Sequence, residues 1–247
     1  MMNILKKYQI TKDSSIFFLT GAGLDAESGI KTFRDSENGL WADHSIEEVC
    51  TPEAFYRNPG KVHNFYNLRR KELNDAVPNV AHKAMVELEN IINIHIVTQN
   101  ISGLSLKAGN NENTVIEMHG SLNKCQCIMH EEHVFPCFKD LTENDLCEVC
   151  GSKLRPYITF FGEIPKRMEE INKRASSSDM FVSLGTSAEV YPAAGLINLF
   201  KDMDKPCVEL NLEPSRNQSL FDFSIYKPAT QAVEEFKNMF FEHISSV

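Results

Sequence analysis

Apolar residues fall along this chain in short dense runs, separated by longer stretches in which they recur every three or four positions. The dense runs are Ser15–Thr20, Asn93–Thr98, Thr114–Glu117, Asp179–Leu184 and Cys207–Asn211. Runs of this length and composition predict strands buried on both faces. The amphipathic stretches near Lys61–Asn74, Ala81–Asn90, Lys166–Ser176, Ala193–Lys201 and Ala229–His243 predict helices. Strands alternating with helices predict an α/β fold, a parallel sheet with helices on both faces. Two stretches interrupt the alternation. Residues 39–79 are helical and loop-rich without a clear strand, and 122–156 are short, polar and cysteine-rich. Both are read as insertions forming a smaller domain above the sheet. Residues 1–38, 80–121 and 157–247 are left for a larger, discontinuous domain.

Composition narrows the class. The 247 residues are 42% hydrophobic and 24% charged, as in ordinary globular proteins. A net charge of −9 argues against nucleic acid or an anionic membrane as partner and suits basic, lysine-bearing ones. No apolar run approaches a membrane span. Met1–Tyr8 carries lysines but no apolar stretch with a cleavage site, so no signal peptide is expected. A cytoplasmic chain keeps its thiols reduced, so Cys125, Cys127, Cys137, Cys147 and Cys150 point to a metal rather than to disulfides.

Candidate chemistry begins where the predicted strands end. The first runs into Gly21-Ala22-Gly23-Leu24-Asp25-Ala26, the outline of a phosphate cradle, in which glycines allow a tight turn and close backbone approach to an anion. Phe33-Arg34 beyond it suits a nicotinamide ribose and a phosphate. A dinucleotide site usually has an acidic residue on the ribose at the end of a second strand. Here Glu213, in Asn211-Leu212-Glu213, is the better-placed acid. Gly185-Thr186-Ser187 forms a third strand end, and Thr98-Gln99-Asn100-Ile101-Ser102-Gly103 a fourth. Cys147-Glu148-Val149-Cys150-Gly151 is a strong half-site for tetrahedral Zn²⁺.

Taken in order, Gly21–Arg34, Thr98–Leu104, His119-Gly120, the cysteine module, Phe161-Gly162-Glu163, Gly185–Ala194 and Asn211–Pro214 resemble the sirtuins, NAD-dependent protein lysine deacylases. The resemblance covers most of the chain. It implies a Rossmann-like NAD-binding domain with a smaller zinc-binding and helical domain. It also implies a reaction that moves the acyl group of a modified lysine onto ADP-ribose and releases nicotinamide. His119 would be the general base on the ribose hydroxyls, a task that suits an imidazole. Asn100 would position the ribose or a water, and Gln99 would bond the ribose. Gly21, Ala22, Gly23, Ala26, Phe33, Arg34, Ile101, Ser102, Gly185, Thr186, Ser187, Asn211, Leu212, Glu213 and Ala229 complete the expected cofactor contacts. Phe161, Gly162, Glu163 and Val190, the last in Val190-Tyr191-Pro192, resemble the clamp on an extended acylated peptide. The chain is expected to act as a monomer. An NAD glycohydrolase or ADP-ribosyltransferase on the same fold is the alternative.

Within the resemblance, four features are particular to this chain. The usual Gln-Asn-Ile-Asp reads Gln99-Asn100-Ile101-Ser102, which removes a carboxylate expected to receive the nicotinamide carboxamide. Asp25 stands where the family usually has serine. The first zinc pair reads Cys127 with His130, giving a Cys127, His130, Cys147, Cys150 set, with Cys125, His133 and Cys137 competing for the fourth place. Finally, Tyr66 and Arg69 are three apart, hence on one helix face, and form a carboxylate receptor. Tyr-x-x-Arg here resembles the class III sirtuins, which remove succinyl, malonyl and glutaryl groups. Cys50 before Thr51-Pro52 is the small residue of the acyl pocket.

Overall fold

The structure, a computed structural model, describes residues 1–30 and 45–246. Its strands are β1 (Ser15–Thr20), β2 (Asn93–Thr98), β3 (Val115–Glu117), β4 (Gly120–Cys127), β5 (Val134–Pro136), β6 (Leu154–Ile158), β7 (Met180–Leu184), β8 (Cys207–Asn211) and β9 (Phe223–Tyr226). Its helices are α1 (Met2–Lys7), α2 (Ala22–Ala26), α3 (Ile46–Val49), α4 (Pro52–Arg57), α5 (Pro59–Asp75), α6 (Val80–Glu89), α7 (Leu104–Ala108), α8 (Met168–Ser177), α9 (Leu196–Asp202) and α10 (Ala229–Ile244).

Six strands form one sheet in the order β3-β2-β1-β7-β8-β9, and every pair is parallel. All residues of β1, β7 and β8 are buried, because side chains alternate between two helix-covered faces. Ile16, Phe18, Val182 and Leu210 pack with Phe236 and Phe240 of α10 and Met85 of α6. Phe17, Leu19 and Phe181 face Ile171 of α8 and Phe200 of α9 on the other side. The Phe17, Phe181 and Phe200 rings cluster at centroid distances of 5.1–6.1 Å. Each such ring contributes about 1.5–3 kcal/mol by burial.

The two ends of the chain meet on this frame. Glu27, just after α2, accepts hydrogen bonds from the Thr230 backbone N–H (2.9 Å) and hydroxyl (2.8 Å), so it caps the first turn of α10. Near the other end of α10, His243 Nε2 lies 2.8 Å from the Ile10 carbonyl.

The cysteine-rich stretch is more ordered than its polar sequence predicts. It forms an antiparallel sheet, β5-β4-β6, with a register shift between Ser121 and Cys125. Helices α3–α5 pack on β4 and β6 around Val62, Phe65, Tyr66, Leu122, Ile158 and Phe160. Their starts follow local rules: Thr51 caps α4 ahead of Pro52, and Asn58 caps α5 ahead of Pro59. Buried Arg70 ties α5 to this sheet, donating to the Leu122 carbonyl (2.7 Å) and Asn67 Oδ1 (2.6 Å). Asn67 in turn bonds both the N–H and the carbonyl of Leu141.

Candidate active site at the ends of the central strands

Strands β2 and β3 lie to one side of β1, and β7, β8 and β9 to the other. The strand order therefore reverses between β1 and β7. In open parallel sheets the crevice beyond such a switch point is where ligands bind. The loops after β1, β2, β7 and β8 meet there and are laced together. Gln99 Nε2 donates to Thr186 Oγ1 (3.0 Å), and Asn100 Nδ2 donates to the Gly21 carbonyl (2.9 Å). Asn211 Nδ2 donates to the Thr186 carbonyl (3.0 Å). Asn100 N–H is held by Thr98 Oγ1 at 3.0 Å.

The glycine-rich turn is used differently from the sequence expectation. Gly21 N–H bonds the Leu184 carbonyl (3.0 Å) and Gly23 N–H the Gly185 carbonyl (2.8 Å), so neither is presented to an anion. A Cβ on Gly23 would lie 2.7 Å from Gly185 Cα, and one on Gly185 would lie 2.5 Å from Leu24 N. These glycines let the turns after β1 and β7 touch, which brings two walls of the crevice together. Ala22, Ile101 and Ser187 are partly buried beside these turns, while Ala26, Leu212 and Glu213 are exposed. Ala229 begins α10 and is buried. Phe33 and Arg34 lie outside the described residues.

His119 sits between β3 and β4, with Nδ1 3.0 Å from the Gln99 carbonyl. A carbonyl only accepts, so Nδ1 carries the hydrogen and Nε2 keeps its lone pair. Burial lowers the pKa of His119 below its ordinary value, and the Gln99 carbonyl opposes this only in part. The ring is therefore held as a neutral base. Next to it, Gly120 has φ +85°, and a Cβ there would lie 1.9 Å from the Tyr157 carbonyl oxygen.

Ligand atoms of Cys127, His133, Cys147 and Cys150 all lie within 4.8 Å of one another, a group that can hold a metal ion. Cys127 Sγ is 3.5 Å from Cys150 Sγ, and Cys147 Sγ is 3.6 Å from His133 Nδ1. A tetrahedral zinc with ordinary bond lengths needs about 3.8 Å between sulfurs and about 3.6 Å from sulfur to nitrogen, so the residues fit the ion. Hydrogen bonds from Ser152 pull the Cys150 thiol down to about 6, toward the thiolate that binds metal. At the fourth position the structure gathers His133 with the three cysteines, where the sequence reading expected His130 and kept His133 as a competitor. In the β4–β5 hairpin, Cys127 N–H bonds the His133 carbonyl (3.0 Å), which sets His133 beside Cys127. His130 lies nearer the tip, 3.5 Å from Glu132, and Cys125 and Cys137 are outside the group.

The Sir2 family model matches residues 21–192. The chain is 46% identical over 234 residues to an NAD-dependent protein deacylase of Bdellovibrio bacteriovorus, covering 92% of this chain and 97% of the relative. It is 45% identical to an NAD-dependent protein deacylase of Pasteurella multocida, covering 94% of this chain and 100% of that one. The chain belongs to the Sir2 family. A mutant Sir2 homologue solved with ADP-ribose superposes at a TM-score of 0.85, with 31% identity and 97% of each chain covered. A Sir2 homologue solved with NAD gives a TM-score of 0.83 at 31% identity, covering 97% of this chain and 94% of that one.

On this Sir2 frame the expected acyl receptor is only partly assembled. Tyr66 is buried, stacks on Phe160, and donates its hydroxyl to Cys50 Sγ at 3.1 Å. Arg69 lies over the Phe65 ring at 4.8 Å and pairs with Glu72 at 3.5 Å. Of the expected peptide clamp, Phe161 and Val190 are exposed and Gly162 turns the chain at φ +90°. Glu163 instead braces the loop: Arg155 binds it through both Nη atoms (2.6 and 2.8 Å), and it accepts the Phe160 N–H at 2.8 Å.

Sequence reasoning missed two residues that shape the site. Arg155 carries no motif, and only the fold brings it to Glu163. His82 pairs with Asp25 at 3.1 Å across 57 positions. The sole local hint was its place three residues after Asn79, where it closes the N-terminal cap of α6.

Proposed function

We propose that this chain is an NAD-dependent protein lysine deacylase that prefers acyl groups ending in a carboxylate, such as succinyl and malonyl. The products are nicotinamide, 2'-O-acyl-ADP-ribose and free lysine. The observation that carries the deacylase reading is His119, held as a neutral imidazole at the mouth of the crevice by the Gln99 carbonyl. The names of the relatives and the NAD and ADP-ribose complexes of Sir2 homologues support it. Gln99, Asn100, Thr186 and Asn211 line the strand ends that would bind NAD, and Phe161 and Val190 offer exposed apolar surface for an extended peptide. A related Sir2 structure with a p53 peptide and NAD, at 25% identity, supports a peptide as substrate. Zinc would be held by Cys127, His133, Cys147 and Cys150, with a structural role away from the crevice. The described cysteines are all unpaired, and no described helix is long and apolar enough to cross a membrane, which suits a cytoplasmic enzyme.

The acyl preference rests on Tyr66 and Arg69, one turn apart on α5 beside Cys50. A substrate carboxylate would take the Tyr66 hydroxyl from Cys50 and the Arg69 guanidinium from exposed Glu72. The test is kcat/KM on matched acetyl- and succinyl-lysine peptides. Arg69→Met should cost desuccinylation about tenfold or more, the loss of one charge-assisted contact, and leave deacetylation nearly unchanged. Equal loss of both would make Arg69 structural and remove the acyl assignment. NAD consumption without any peptide would favour a glycohydrolase.

A further inference from the structure

Arg155 lies on β6, in register with Gln126 of β4, and its side chain is only 11% exposed. Its hydrogen bonds converge on the chain that follows it. Nη1 and Nη2 bind the two Glu163 oxygens at 2.6 and 2.8 Å, and Nη2 also donates to the Ile158 carbonyl at 2.7 Å. The guanidinium carbon lies 4.0 Å from the centre of the Phe160 ring. A planar fork that grips two oxygens while lying on an aromatic face is a task that lysine cannot copy. Burial pushes the Glu163 carboxyl up, but the Arg155 hydrogen bonds and charge outweigh it, so the pair stays ionised.

The loop held in this way faces two parts of the expected substrate. On the acyl side, the Phe160 ring stacks on Tyr66 at 6.1 Å. The Phe161 N–H bonds the Cys50 carbonyl at 2.9 Å, and the same Cys50 accepts the Tyr66 hydroxyl on its sulfur. On the peptide side, Phe161 is exposed, and the Glu163 N–H closes the turn on the Phe160 carbonyl at 3.0 Å. None of these contacts involves Gln99, Asn100, Thr186 or Asn211 at the strand ends.

We infer that Arg155 is a positioning residue for the acylated peptide. By fixing Phe160 and Glu163 it sets where the peptide lies and how Tyr66 and Cys50 meet the acyl group. It acts through the loop and touches neither substrate nor cofactor. The inference rests on the deacylase reading above. One substitution should therefore loosen peptide and acyl recognition together and leave the NAD crevice as it was.

The test is the Kd of fluorescently labelled acetyl- and succinyl-lysine peptides by anisotropy, beside the calorimetric Kd of NAD and a thermal melt, all on the intact chain. Arg155→Met should weaken the succinyl peptide about tenfold or more, the loss of a bidentate charged contact, and leave NAD within about twofold of wild type. It should also narrow the succinyl-to-acetyl preference, and in turnover raise the peptide KM far more than it lowers kcat. Arg155→Lys keeps the charge and guards against misfolding. Its melt should match wild type, while the succinyl peptide still weakens about threefold or more. Glu163→Gln added to Arg155→Met should cost little beyond Arg155→Met alone, because both act through one loop. A folded Arg155→Lys with wild-type peptide affinity overturns the inference, as does a loss of NAD affinity as large as that of peptide. Wild type that binds acylated peptides without preferring succinyl overturns the carboxylate reading alone, since peptide affinity still judges Arg155. Wild type that binds no acylated peptide overturns both.

Discussion

Gly120→Ala is the sharpest test of how the fold places His119. A Cβ at this position would sit 1.9 Å from the Tyr157 carbonyl oxygen, with backbone atoms on both sides of the clash. Ordinary carbon–oxygen contact is about 3.2 Å or more, so β4 and β6 must part by roughly 1.3 Å. The φ of +85° adds about 1–2 kcal/mol for any residue with a Cβ. Parting the strands also strains the Thr159 N–H to His119 carbonyl bond, 2.9 Å in the structure. One or two lost backbone bonds cost about 1 kcal/mol each, which brings the sum to about 2–4 kcal/mol. For a chain of this size the melting temperature should fall by about 10 °C. Displacement of His119 by an ångström should lower kcat/KM by about a hundredfold. Urea unfolding and steady-state deacylation measure the two effects. Gly120→Asn separates the causes, because asparagine tolerates positive φ yet carries the same Cβ; it should be nearly as damaging as alanine. If Gly120→Ala unfolds within about 1 kcal/mol of wild type and keeps half its activity, the strand contact does not position His119.

Three further outcomes follow from named groups. His133→Ala should release the metal and destabilise the β4–β5 hairpin, while His130→Ala should retain it; metal analysis of the purified variants decides, and the reverse pattern would restore His130. Because burial lowers the pKa of His119, the acid limb of kcat/KM should be centred below the ordinary histidine value of about 6.5; a midpoint near pH 7 or higher would contradict a buried, neutral His119. His63, buried against Phe55 and pushed down to about 4, stays neutral in the fold but protonates earlier once unfolded. Its stabilisation is complete above pH 6.5 and is lost as pH falls toward 4, so urea midpoints should drop across that window, and less so in His63→Phe.

The sequence pattern was clearest where strands are buried on both faces. The ends of β1, β2 and β8 coincide with the predicted runs, because apolar residues dominate them even with His95 inside β2 and Glu209 inside β8. Strands β4 and β6 escaped notice because Asn123, Lys124, Gln126 and Arg155 break their apolar pattern, and their polar groups are satisfied only by the fold. Lys124 pairs with Glu117, and Arg155 with Glu163. His133 illustrates a second limit. Spacing along the chain favoured His130, but hairpin register decides which histidine meets Cys127. The Asp25–His82 pair shows a third, since neither residue's local context announces a partner 57 positions away.

The clasp between Glu27 and Thr230 has a consequence for biosynthesis. These residues are 203 positions apart, and the His243–Ile10 contact spans 233. At ordinary ribosomal speeds, about 10–40 s pass between translating the two halves of the Glu27 clasp. For about 4–17 s of that interval, between completion of β2 at Thr98 and of β7 at Leu184, β1 can pair with β2 but still lacks β7, leaving an apolar edge that includes Phe17 and Phe18 without its lasting neighbour. A nascent chain in that state is a substrate for chaperones and a hazard for edge-to-edge aggregation. A ribosome stalled within α10 would hold a nearly full-length chain in which the turn after α2 still lacks the Thr230 contacts that fasten it.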